Sequence, residues 1–145
     1  MHATWNRQLA IAHARRHAAP NATGRCAERV REAIEAGGLV LARTASAKDW
    51  GPNLAAQGFV EVRERDRFCT GDVVVLPAVA GHAHGHVALF DGAAWISDFV
   101  QRDVWAGPAW RAAAVQFPLW GVRAPLAPGG PGAVPAPPPP GGARP

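Results

Sequence analysis

The hydrophobic pattern of this 145-residue chain changes period near Gly58, and that switch limits what it can fold into. Before it, apolar residues recur at helical spacing; after it they alternate or run on continuously. Residues 4–18 read as a helix with Trp5, Leu9, Ala12 and Arg16 on one face and Pro20 as its stop. A second helix is expected over about 25–36, with Ala27, Val30 and Ile34 as its apolar stripe and Gly37-Gly38 closing it. Thr23 or Gly24 would cap it, which places Cys26 in the first turn. Ser46 and Asp49 resemble a capping box for a short helix that Pro52 limits and that ends by about 57. Strands are expected at 59–62, 72–76, 86–90, 94–99 and 114–117, with a sixth near 120–123. Helices first and strands after predict an α+β domain over residues 1–123, its N-terminal helices packed on an antiparallel β-meander. Residues 124–145 hold nine of the fourteen prolines, a composition that builds no core and predicts a disordered tail.

Size and charge narrow the function classes. A chain this short supports one core, and no apolar run reaches the ~18–20 residues of a membrane span. The net charge of +4 and pI of about 10.4 favour acidic partners, a bacterial cell wall among them. The arginines are scattered, with no finger, helix-turn-helix or RNP-like pattern, so nucleic acid is not an expected partner. The first twenty residues lack the unbroken apolar segment of a signal peptide, so work outside the cytoplasm implies a dedicated secretion route or release by lysis. Cys26 and Cys69 are too few for a disulfide framework, and a bridge between them would block Cys26 as a nucleophile.

A thiol at a helix start meets free N–H groups and the positive end of the helix dipole, which favour the thiolate. Cys26 has that placement, with Arg25 and Arg29 adding positive charge. The bland reading is a small buried hydrophobe. His86 opens a strand, and a three-residue Asp91-Gly92-Ala93 loop would set Asp98 opposite it, able to orient one imidazole nitrogen. A two-residue loop would set Ser97 there instead. His82, His84 and His86 alternate, so a metal site is the rival reading, weakened by the flexible Gly81 and Gly85. No metal or other cofactor is expected; His84 and Trp50 are expected to contact substrate, and Cys69 to be incidental. A catalytically silent wall- or lipid-binding domain is the remaining alternative.

The segments Gly24-Arg25-Cys26-Ala27-Glu28-Arg29-Val30, Gly71-Asp72-Val73-Val74-Val75, Gly85-His86-Val87-Ala88-Leu89-Phe90-Asp91-Gly92 and Trp95-Ile96-Ser97-Asp98-Phe99 occur in an informative order. In that order the chain resembles the NlpC/P60 and CHAP group of papain-like cysteine hydrolases over roughly residues 20–120. The resemblance implies Cys26 as nucleophile, His86 as general base and Asp98 as the third polar residue. It also implies hydrolysis of peptidoglycan amide bonds at the cell wall or periplasm, as in phage lysins and interbacterial amidase toxins, with an inhibitor or immunity protein as a partner. The backbone N–H of Cys26 is the default oxyanion donor. Arg25 departs from the glutamine that many CHAP domains carry before the cysteine.

Overall fold

Asn6 starts the first helix, its side chain accepting the Leu9 N–H at 3.0 Å. The computed structural model describes residues 5–63 and 67–123; the expected tail, 124–145, lies outside the described residues. Because Trp5 precedes the cap, it does not set the phase of helix α1 (Arg7–His17). The buried face is therefore Ala10, Ile11 and Ala14, not the expected Leu9–Ala12 face, and Leu9 is 54% exposed. The Trp5 indole instead lies against Gly37 and donates to the Ile34 carbonyl at 3.1 Å.

Helix α2 (Cys26–Ala36) packs along α1 and buries Val30, Ala33 and Ile34. Its N-cap is Arg25 rather than Thr23 or Gly24, and no side chain caps it. A single 3-10 turn, Ala47–Asp49, leads into helix α3 (Gly51–Ala56). Pro52 sits in the first turn of α3, where its missing N–H costs nothing, so it opens the helix rather than limiting it. Ser46 makes no capping bond.

Five strands form one antiparallel sheet: β1 (Val60–Val62), β2 (Val73–Leu76), β3 (His86–Phe90), β4 (Trp95–Ile96) and β5 (Leu119–Gly121). Their order is β1-β5-β2-β3-β4. The segment β2–β3–β4 is the expected meander, but β5 returns between β1 and β2. Residues 114–117 are not a strand. Gly107-Pro108 starts helix α4 (Pro108–Ala112), which buries Trp110, and Val115 and Phe117 reach the core from the loop that follows.

Both faces of the central strands are covered, which explains why β2 reads as a continuous apolar run. Val73, Val75, Val87, Leu89 and Ile96 face α1, α2 and α3. Val74, Leu76, Ala88, Trp95 and Leu119 face Val104 and Trp110. The fully buried carboxylate of Asp72 is held by a two-pronged Arg123 bond (2.7 and 3.0 Å) and by the Cys69 N–H.

Candidate active site

The β3–β4 hairpin decides what His86 meets. Asp91 Oδ1 accepts the N–H groups of Ala93 (2.8 Å) and Ala94 (2.6 Å), and its own N–H donates to the Ala94 carbonyl. These bonds draw Ala94 into the turn, so the loop has four residues and the pairs are Phe90↔Trp95 and Leu89↔Ile96. The register is one residue away from the expected one, and a one-residue slip sends each side chain to the other face. Asp98 is therefore not opposite His86. The chain turns back at Ser97, and the Gln101 N–H bonds to the Trp95 carbonyl at 2.8 Å.

That return brings Gln101 to His86, with Oε1 2.7 Å from the ring Nε2. The Gln101 amide nitrogen donates to the Asp103 carbonyl at 3.1 Å. A carbonyl only accepts, so the NH2 end must face Asp103 and the oxygen must face His86. His86 thus carries its proton on Nε2, and Nδ1 is left with a free lone pair. Trp110 lies against the same ring, with centroids 5.7 Å apart, and donates its own N–H to the Pro77 carbonyl. Burial lowers the His86 pKa, while the Gln101 bond and the Asp98 charge raise it less, so the ring is neutral at neutral pH. Nothing in the local pattern marked Gln101, because it reaches His86 only through the reversal at Ser97.

Cys26 is the first residue of α2, and it lines the same cleft of about 590 Å³ as His86, His84 and Asp98. Cys26 and Cys69 are both free thiols. The expected thiolate bias is absent in this resting state. Burial pushes the Cys26 thiol up, against the weaker pull of the Val87 N–H, and the Asp98 charge pushes it further. Arg25 and Arg29 do not offset this, because each is paired along the helix, with Glu28 and Glu32.

Asp98 serves the loop that delivers Cys26. Its Oδ2 accepts the Thr23 N–H (2.5 Å), the Thr23 hydroxyl (2.8 Å) and the Arg25 N–H (3.3 Å), and its carbonyl accepts the Ala19 N–H (2.8 Å). Burial raises the Asp98 pKa, but the Thr23 and Arg25 donors outweigh it and hold the carboxyl below its ordinary value.

His84 lines the cleft, its Nδ1 2.7 Å from the Ser46 hydroxyl. Trp50 does not line it: only 5% exposed, it packs in the core on the helix side of the sheet. The three alternating histidines do not converge. His82 stacks on Trp110 at 4.3 Å, His84 turns to Ser46 and His86 to Gln101. Among the described residues no group of three His, Cys, Asp or Glu side chains is arranged to hold a metal ion.

No family model matches the chain, and no curated protein does. Two crystal structures of the type VI effector–immunity complex Tae3–Tai3 from Ralstonia pickettii contain a similar chain. The native complex matches at 44% identity and a TM-score of 0.77, covering 82% of this chain and 100% of that one. The selenomethionine complex matches at 47% identity and a TM-score of 0.72, covering 77% of this chain and 97% of that one.

Proposed function

The chain belongs to the Tae3 family of type VI amidase effectors, and on that premise we propose that Cys26 and His86 carry its chemistry. The family consists of cysteine-dependent peptidoglycan amidases secreted as antibacterial toxins that act on the target's cell wall. The observation that carries the assignment is the shared cleft: the thiol that opens α2 and the imidazole that opens β3 line it together.

The resting pair is a thiol and a neutral imidazole, because burial disfavours both charged forms. As Sγ attacks the amide carbonyl, its proton passes to His86 Nδ1, the nitrogen that the Gln101 bond leaves free. The backbone N–H of Cys26 is the donor to the developing oxyanion. The C–N bond then breaks, the imidazolium proton goes to the leaving amine, and the acyl group stays on sulfur as a thioester. Water, deprotonated by His86, cleaves the thioester and restores the thiol. Gln101 orients the base, and Asp98 is a positioning residue for the Thr23–Arg25 loop. His84, at the mouth, contacts substrate. An immunity protein is the expected partner of this chain, as Tai3 is of Tae3 in the similar structures.

The test compares the two cysteines. Cys26→Ala should release no peptidoglycan fragments detectable by mass spectrometry, with the thermal midpoint retained. Cys69→Ser should keep most of the activity, since Cys69 is engaged through its backbone N–H. Equal loss from both substitutions would contradict the assignment.

A further inference from the structure

Two spaces meet at Cys26 and His84. The larger, about 590 Å³, contains His86; the smaller, about 260 Å³, does not, and its charged lining is the pair Arg25 and Glu28. Helix α2 carries a second ion pair of the same spacing, Arg29 with Glu32, which lines neither space. The helix itself gives no reason for Arg25. It occupies the N-cap without a side-chain cap bond, where Ser, Asn or Asp would satisfy a backbone donor, and its charge stands at the positive end of the helix dipole. Any residue but proline would supply the backbone N–H that Asp98 accepts. The side chain is not used up by its partner either. Its bond to Glu28 runs from Nη2 to Oε2, and among the described residues Nε and Nη1 donate to nothing. With the two side chains 48% and 38% exposed, the pair is open to a ligand.

We propose that the smaller space binds a zwitterionic side-chain end on the acyl half of the substrate, an ammonium and a carboxylate on one carbon. This rests on the assignment of Cys26 as nucleophile and His86 as base. The imidazolium gives its proton to the leaving amine, so the acyl half, held on sulfur, takes the space that His86 does not line. The i,i+3 spacing sets both charges of the pair on one face. A lone carboxylate there would meet Glu28, and a lone ammonium would meet Arg25. A group with both signs matches both, its carboxylate on the unused guanidinium N–H groups and its ammonium on the free Glu28 oxygen. Ala45 and Ala47 complete the wall without a polar side-chain atom. Such an end belongs to a diaminodicarboxylic acid residue of a stem peptide whose side chain is free of any cross-link.

Three synthetic peptidoglycan fragments that differ only in this side-chain end test the site: the zwitterion, the same chain without its carboxylate, and the same chain without its ammonium. Wild-type kcat/KM should favour the zwitterion about tenfold over each, as expected when one charged hydrogen bond is lost. Arg25→Gln should erase the preference over the chain lacking the carboxylate and keep the other. Glu28→Gln should do the reverse. Each preference is a ratio taken within one enzyme, so any loss of folded protein cancels. Equal kcat/KM of the wild-type enzyme on all three fragments would overturn the proposal, as would wild-type ratios in both variants. Cys26→Ala separates the failures. Turnover there at the wild-type rate overturns the underlying assignment, whereas an inactive Cys26→Ala beside a wild-type enzyme blind to the side-chain end overturns the zwitterion site alone.

Discussion

Gln101 holds the His86 ring through Nε2–H, so in the proposed mechanism the proton that Cys26 loses has one nitrogen to go to, Nδ1. The pH dependence follows from burial. The imidazole pKa is lowered from 6.5, so the base stays neutral and active below pH 6.5, and kcat/KM falls only as pH drops through the folded value. The thiol pKa is raised from 9.0, so alkylation of Cys26 should keep accelerating past pH 9.0. An inflection several units lower would mean a resting thiolate–imidazolium pair. Gln101→Ala removes a bond that raises the imidazole pKa, so the acid limb should move to lower pH while kcat drops about a hundredfold from lost orientation. Gln101→Glu should move that limb to higher pH. An unmoved limb in both would show that Gln101 only packs.

The hairpin between β3 and β4 sets which residues can reach the site, and a single side chain sets the hairpin. Asp91 was legible as a turn residue, but its two bonds to Ala93 and Ala94 lengthen the loop to four residues and shift the register by one, so Asp98 is not paired opposite His86. Asp98 then binds the segment before α2, where it gathers three donors on one oxygen. Asp98→Ala leaves these donors without their acceptor, so stability should fall by about 2–3 kcal/mol and activity with it. Asp98→Asn, which keeps an acceptor oxygen, should lose less of both. The folded pKa of the native Asp98 carboxyl is below 3.8, so its contribution to stability is complete above pH 3.8 and is lost as pH falls through the lower folded value. A large activity loss in Asp98→Asn with an unchanged thermal midpoint would instead return Asp98 to the role of ring-orienting group.

Across the whole molecule, what the sequence disclosed was local. The second helix, β2 and β3 each follow from periodicity and turn residues within a few positions, and so does the placement of Cys26 and His86 at element starts, whereas the first helix was legible as a helix but not in its buried face. The insertion of β5 between β1 and β2 is a pairing across more than forty residues, and no local pattern encodes it. The Gln101–His86 bond was hidden for the same reason, since it depends on a register and a chain reversal rather than on spacing. An aromatic residue such as Trp50 reads the same in sequence whether it faces solvent or core; here it is buried in the core on the helix side of the sheet. The family's likeness over most of the chain fits the order of the segments bearing Cys26 and His86. In the proposed mechanism the acyl group of a peptidoglycan amide passes through sulfur on Cys26. Mixing enzyme with purified peptidoglycan fragments, quenching in acid at short times and mapping the digest by mass spectrometry tests it directly. The expected result is a transient thioester adduct on the peptide containing Cys26, absent from Cys26→Ala. An adduct on Cys69, or turnover by Cys26→Ala at the wild-type rate, would contradict it.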